Sequence, residues 1–125
     1  MTKSQINKLG REIRNKLKAN ESLSENDLLN LQTYRTSFKD DLSRIFYEIS
    51  ILSRNERKDG IVSFRIKRIE SILSKIKREP TMALGNMGDI AGCRIILYSD
   101  TALHNLAKSI NHKYIVKNFN DYEVV

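Results

Sequence analysis

Hydrophobic residues first change their spacing near Gly60, and that change restricts the fold to a mixture of helices and strands. Before it, apolar side chains recur at three- and four-residue intervals, the pattern of amphipathic helices. After it, residues 61–67 alternate between apolar and polar side chains, as a half-buried strand does. The sequence therefore predicts an α/β (α+β) fold, with a helical part over residues 1–58 and a sheet-containing part over residues 61–125.

Two helical stretches account for the N-terminal part. The first has an apolar stripe at Ile6, Leu9, Ile13 and Leu17. The second follows Ser24, and Asp27 stands three positions later, the spacing of a capping box that opens a helix. Because its apolar stripe continues as far as Arg57, we predict one helix over residues 24–57, about 45 Å long at about 1.5 Å per residue.

The second part is predicted to alternate strands and helices. After the first strand we expect a helix over residues 68–78, a strand over 93–98, a helix beginning at Ser99 or Asp100, and a strand over 114–122. Pro80 prevents the first of these helices from continuing. A strand, helix and strand in this order suggest one right-handed crossover.

Composition limits the class of protein. A chain of 125 residues, 40% of them hydrophobic, suits one small folded domain rather than a disordered segment. The net charge of +7 favours a polyanionic partner such as a nucleotide, a nucleic acid or an anionic membrane surface. Cys93 is the single cysteine, which excludes an internal disulfide and a cysteine-based zinc site. With neither a secretory signal nor an apolar span, we expect a cytoplasmic protein.

Basic residues recur at spacings that place them together. Arg65 and Lys67, two positions apart, share a face of the predicted strand. On the next helix, spacings of three, four and three residues place four side chains on one face: Arg68, Ser71, Lys75 and Arg78. If the two elements meet, their cations and hydroxyl converge, as a phosphate group prefers. For a basic amphipathic helix alone, a solvated face is the more common explanation.

Asp89 and Arg94 flank the start of the predicted strand over residues 93–98. A carboxylate at a strand edge can bind Mg²⁺, although an aspartate directly after Gly88 can also be an ordinary turn residue. Arg94 interrupts an apolar run, and a buried charge there needs either an acidic partner or a phosphate.

These residues carry a resemblance to a known family. The run Arg65-x-Lys67-x-x-x-Ser71-Ile-x-x-Lys75, followed by Asp89-Ile-Ala-Gly-x-Arg94, resembles the synthetase domain of RelA/SpoT proteins, the (p)ppGpp synthetases. That family transfers pyrophosphate from ATP to the 3′-hydroxyl of GTP or GDP. The resemblance implies that ATP phosphates are bound by Arg65, Lys67, Ser71, Lys75 and Arg94. It also implies that Asp89 is the catalytic acid that binds Mg²⁺.

The resemblance shapes the expected architecture and activity. It implies N-terminal helices packed on a small, incomplete nucleotidyltransferase-like mixed sheet, as in the small single-domain members. It places the guanine-stacking tyrosine and a second Mg²⁺-binding glutamate beyond Tyr122, so we expect little synthetase activity from residues 1–125 alone. The chain also has Phe64 where family members usually have glycine.

Two further interpretations stay open. The chain can be a non-catalytic module that binds nucleotide, or an interaction protein that oligomerises or binds RNA. An unpaired sheet edge favours self-association, and the resemblance to small homotetrameric members favours a homo-oligomer as well.

Overall fold

The computed structural model describes residues 1–114, which form five α-helices, one short 3-10 turn and two strands. In chain order they are α1 (Lys3–Lys18), α2 (Glu25–Thr36), α3 (Lys39–Glu56), β1 (Ile61–Ile66), α4 (Ile69–Arg78), the 3-10 turn (Leu84–Asn86), β2 (Ala91–Ile96) and α5 (Asp100–Lys113). The predicted α/β fold is confirmed. The predicted strand over residues 114–122 extends outside the described residues.

Residues group into two compact units. The first comprises Met1–Leu42 and Arg65–Gly92, and the second comprises Ser43–Phe64 with the described residues from Cys93 onward. β1 and β2 are antiparallel neighbours. In the first unit their pairing continues past β1, where the backbone N–H of Lys67 donates to the carbonyl of Ile90 at 2.6 Å. The expectation of one domain over residues 1–125 stays a prediction.

The core of the first unit is built from α1, α2, α4 and the 3-10 turn. Its buried side chains are Leu9, Ile13, Leu31, Tyr34, Ile72, Ile76, Leu84, Met87 and Ile90. The predicted apolar stripes of the helices supply most of them. Burial of this continuous apolar surface is the main force that holds the three helices together.

The predicted helix starts are confirmed at two caps. The Ser24 hydroxyl accepts from the Asp27 N–H at 3.0 Å, and the Asp27 carboxylate accepts from the Ser24 N–H at 3.2 Å, which completes the capping box of α2. At α5 the cap is Ser99 rather than Asp100, since the Ser99 hydroxyl accepts from the Ala102 N–H. Each cap satisfies N–H groups that a helix start leaves without a partner.

The prediction of one continuous helix over residues 24–57 is wrong. Helix α2 ends at Thr36 and α3 begins at Lys39. The hydroxyls of Thr36 and Ser37 donate to carbonyls one turn back, at Gln32 and Tyr34, and such bonds bend and weaken helices. The apolar stripe runs through the break because Tyr34 and Phe38 still pack edge to face, with ring centroids 5.3 Å apart.

The second unit contains most of α3 and all of α5. Its buried side chains include Ile49 and Ser53 on α3 and Ala102 and Leu106 on α5. Phe46 on α3 packs edge to face on Phe64 of β1, with centroids 4.7 Å apart. Among the helices between residues 3 and 113, none combines the length and apolar character that crossing a bilayer requires.

Candidate functional site

Two lysines from different elements meet at one aspartate in the first unit. The ammonium of Lys67 lies 2.9 Å from Oδ2 of Asp89, and the ammonium of Lys75 lies 3.2 Å from Oδ1. The lysine side chains are only 13% and 18% exposed, whereas the Asp89 side chain is 41% exposed. The carboxylate is therefore paired on its inner side and open to solvent on its outer side.

The backbone fixes each of these side chains. Lys67 directly follows β1, and its carbonyl accepts from Nε of Arg35 on α2 at 2.7 Å. Lys75 lies on α4, one position from the fully buried Ile76 that anchors this helix in the core. Asp89 is followed by the buried Ile90, whose carbonyl accepts from the Lys67 N–H. Backbone hydrogen bonds and buried neighbouring residues therefore fix the positions of these three charged side chains.

Opposing effects act on the ionisation of Asp89. Burial raises its pKa and is the largest single influence. The hydrogen bonds from Lys67 and Lys75, together with their positive charges, outweigh it and hold the pKa of Asp89 below its ordinary value. The group is therefore a carboxylate at neutral pH, in the form that can bind a cation.

A shallow groove of about 300 Å³ lies beside this cluster. It is lined by Lys67, Glu70, Ser71, Ser74 and Arg78. The structure therefore brings together Lys67, Ser71 and Arg78, as the spacing predicts, and adds the hydroxyl of Ser74 from α4. Hydroxyl, ammonium and guanidinium groups are donors suited to oxyanions. Glu70 is the one acid on this wall of the groove.

Two further predicted phosphate ligands, Arg65 and Arg94, are not among the residues that line this groove. Arg65 is exposed on β1, in the first unit. Arg94 is exposed on β2, in the second unit. Their roles in phosphate binding stay predictions.

The donor set around Asp89 suits part of a magnesium site. Within residues 1–114, no three His, Cys, Asp or Glu side chains are close enough together to hold a metal ion by themselves. Mg²⁺ usually takes only one or two protein carboxylates and completes its shell with water and phosphate oxygens. Each Asp89 oxygen accepts one lysine bond, which leaves further lone pairs for such an ion. A single-acid share of a magnesium site is therefore compatible with these residues.

Arg35 was missed by reasoning from the sequence, although it fixes the end of β1. Its guanidinium reaches the Lys67 carbonyl and also Oε1 of Gln32 at 3.3 Å, from within a helix otherwise assigned to the core. The available signal was its place next to the buried Tyr34, where a cation needs polar partners.

Fold and site together define an α/β protein with a groove of oxyanion-binding side chains beside a lysine-paired aspartate. Residues 64–124 match the family model for the region found in RelA/SpoT proteins. The resemblance drawn from the residues is therefore confirmed over this part of the chain. None of the curated proteins compared with the chain is significantly similar to it.

Proposed function

We propose that this protein acts in (p)ppGpp synthesis and that Lys67, Lys75 and Asp89 form its site for Mg-ATP, the pyrophosphate donor. The observation that carries the proposal is the convergence of the two lysines on Asp89, from two separate elements of the first unit. The match of residues 64–124 to the RelA/SpoT region supports the same reaction class.

The hydrogen-bond capacity of the cluster supports binding of a charged ligand. An ammonium group has three N–H donors, and Lys67 and Lys75 each direct one of them to Asp89. Each lysine therefore has donors left for phosphate oxygens. Because both ammonium groups are mostly shielded from solvent, their attraction to phosphate is screened less than at an exposed site.

Magnesium is the cofactor that this proposal requires. Asp89 is the residue proposed to hold it, with ATP phosphate oxygens as further ligands. When bound, the ion neutralises phosphate charge and polarises the phosphoryl group under attack.

The other predicted ligands complete the proposed ATP site. Ser71 lines the groove beside Lys67, where its hydroxyl can donate to a phosphate oxygen. Arg65 and Arg94 are proposed as phosphate ligands on the strength of the family resemblance alone. GTP or GDP is the proposed acceptor.

The reaction is a pyrophosphate transfer. The 3′-hydroxyl oxygen of GTP or GDP attacks the β-phosphorus of ATP and forms a new O–P bond, and its proton passes to solvent. The bond from the β-phosphorus to the oxygen shared with the α-phosphate breaks, and AMP leaves with that oxygen. Negative charge gathers on phosphate oxygens, where fixed ammonium groups stabilise it most effectively. Lys67 and Lys75 are the residues proposed to supply this stabilisation.

Thermal unfolding with Mg-ATP tests the site. Ligand at about 100 times its Kd adds about 2.7 kcal/mol, which raises the Tm by several degrees. We expect Lys75→Ala to remove most of this shift. Lys77→Ala is the matched control, because Lys77 is an exposed lysine on the same helix. Cooperative unfolding with an unchanged Tm in saturating Mg-ATP would exclude the proposed site and favour a module that acts by assembly or by binding RNA.

Two expectations from the sequence stay predictions of their own. A homo-oligomer is expected in sedimentation velocity, and a cytoplasmic location in cell fractionation.

A further inference from the structure

A buried arginine of α1 binds the segment that leads to the site. Arg14 is 8% exposed and its Nε donates to the carbonyl of Ile76 at 2.9 Å. Its Nη2 donates to the carbonyl of Glu79 at 3.1 Å and also to that of Met82. One guanidinium therefore joins the C-terminal end of α4 to both ends of the turn at Pro80.

A second contact from α1 holds the 3-10 turn. Oδ1 of Asn7 accepts from the backbone N–H of Gly85 at 2.8 Å. One turn further along α1, Gly10 lies so close to the turn that a Cβ there would be 2.7 Å from Cβ of Leu84. Helix α1 and the turn are thus packed at backbone distance, and Leu84 is almost completely buried between them.

Both contacts fix the stretch of chain that carries Asp89. The turn at residues 79–82 and the 3-10 turn at residues 84–86 lie between Lys75 on α4 and the turn at residues 88–89 that contains Asp89. Met87 and Ile90 on either side of Asp89 are buried. The position of the carboxylate relative to Lys75 therefore depends on how α1 holds these two turns.

The chemistry of Arg14 supports a specific role. An apolar residue at this buried position of α1 would avoid the cost of burying a charge. A guanidinium has a rigid fork of donors and can hold three carbonyls at once, at a helix end where the backbone dipoles favour a cation. The side chain thus fixes geometry that packing alone would not specify.

We propose that α1 is a positioning element for the site, with Arg14 and Asn7 holding residues 79–86 so that the Asp89 carboxylate meets Lys67 and Lys75. Its effect on Mg-ATP binding rests on the proposed function, whereas its effect on the local backbone does not.

Amide hydrogen exchange tests the positioning without any nucleotide. The Lys67 N–H donates to the carbonyl of Ile90, next to Asp89, and the Ile72 N–H of α4 donates to the carbonyl of Arg68, the residue before that helix. A loss of overall stability raises the exchange rates of both amide hydrogens equally, so the Ile72 amide serves as the internal reference. In Asn7→Ala we expect exchange at Lys67 to rise about tenfold more than at Ile72, which is the effect of losing about one hydrogen bond.

Matched variants separate positioning from general stability. Asn15→Ala makes the same substitution at an exposed site on α1 and is expected to leave the ratio of the two rates unchanged. Asn7→Asp keeps an acceptor oxygen for the Gly85 N–H, so we expect it to give the wild-type ratio of the two exchange rates. Arg14→Lys keeps the positive charge but loses the planar fork of donors, so we expect it to raise the ratio of the two exchange rates as Asn7→Ala does. It is the test variant if Asn7→Ala does not fold.

The Kd for Mg-ATP, measured at a temperature where every variant is folded, completes the test. We expect Asn7→Ala to weaken binding about fivefold to tenfold and Asn15→Ala to leave it unchanged. Equal acceleration at Lys67 and Ile72 in Asn7→Ala and Arg14→Lys would overturn the positioning role. A wild-type chain that binds no Mg-ATP would overturn the proposed function, while the exchange ratio would still decide the role of α1.

Discussion

The ammonium nitrogen of Lys67 lies 2.9 Å from Oδ2 of Asp89, a residue 22 positions further along the chain. The backbone also brings these two residues together, because the Lys67 N–H donates to the carbonyl of Ile90, the residue that follows Asp89. Most surface ion pairs contribute little, since two flexible side chains must be ordered to make them. Here the backbone contact holds both side chains close together already, so less entropy is lost when the pair forms.

Charge balance at this cluster leads to a first prediction. Asp89→Asn leaves the ammonium groups of Lys67 and Lys75 facing each other without the carboxylate between them. We expect the free energy of unfolding to fall by about 0.5–1 kcal/mol at low salt, a range that allows for solvent screening of the exposed carboxylate. Adding Lys75→Met should recover part of this loss, because it removes one of the two like charges.

Urea denaturation of the single and double variants measures this coupling. Lys77→Met in the Asp89→Asn background is the control, and it should recover nothing because Lys77 is exposed and lies outside the cluster. Strict additivity of Asp89→Asn and Lys75→Met would mean that the two side chains do not interact.

The capping box of α2 gives a second prediction, about pH. The hydrogen bond from Lys16, at 2.6 Å, holds the pKa of Asp27 below its ordinary value of 3.8, against the opposing effect of burial. A carboxyl group whose pKa is lowered by folding adds stability above its ordinary pKa and loses that contribution as the pH falls through its folded pKa. The wild-type protein should therefore lose this stabilisation in acid.

Asp27→Asn removes the titrating group. We expect its Tm to lie below that of the wild type near neutral pH and the difference to shrink below about pH 4, as measured by circular dichroism across a pH series. Glu25→Gln is the matched control, since Glu25 is exposed in the same first turn of α2. A Tm difference that is the same at all pH values would assign the effect to the capping geometry instead of to the charge.

The close approach of α1 to the 3-10 turn gives a third prediction. Alanine is a better helix former than glycine by about 1 kcal/mol, so propensity alone predicts that Gly10→Ala stabilises α1. The new Cβ would meet Cβ of Leu84 at 2.7 Å, and overpacking of this kind costs about 1–3 kcal/mol. We expect a net decrease of about 1 kcal/mol in the free energy of unfolding.

Thermal and urea unfolding measure the effect of Gly10→Ala. Gly88→Ala is the control, because a Cβ at Gly88 would meet nothing within 4 Å. A more stable Gly10→Ala protein would show that the two backbones can separate without loss of packing.

Arg35 supports a fourth prediction. Arg35→Met keeps most of the side-chain volume but leaves the Lys67 carbonyl without its donor, which should cost about 1–2 kcal/mol of stability. Under the proposed function the affinity for Mg-ATP should fall as well, since the end of β1 carries Lys67. Arg11→Met, at an exposed position on α1, should change neither quantity. Equal behaviour of the two variants in urea denaturation and in nucleotide titration would contradict the role of Arg35.

Local signals in the sequence predict much of the fold. Capping residues such as Ser24 and Ser99 mark helix starts because their hydroxyls serve N–H groups within the next turn. The break between α2 and α3 could not be predicted from periodicity, since Tyr34 and Phe38 keep helical spacing across it. Hydrogen bonds from hydroxyls to the preceding turn interrupt the backbone and leave the apolar stripe intact.

The candidate site is less accessible to sequence reasoning. Spacing places Ser71 and Lys75 on one side of α4, because three and four residues make about one turn. It cannot show that Lys67 and Lys75 share Asp89, since 22 and 14 residues separate them from it and only the packed core determines that approach. Contacts made by Arg14 and Arg35 to distant carbonyls are hidden for the same reason.

The first unit combines Met1–Leu42 with Arg65–Gly92, whereas the family match begins at residue 64. The residues that match the family model are therefore not the same set as the residues that form this compact unit. A graft of residues 64–124 onto another scaffold would transfer Lys67, Lys75 and Asp89 but leave behind the helix whose Arg14 and Asn7 hold their connecting turns. A shortened or fused version of this protein should therefore keep α1 from its capping residue Thr2 onward, and should not begin at residue 64, where the family match begins.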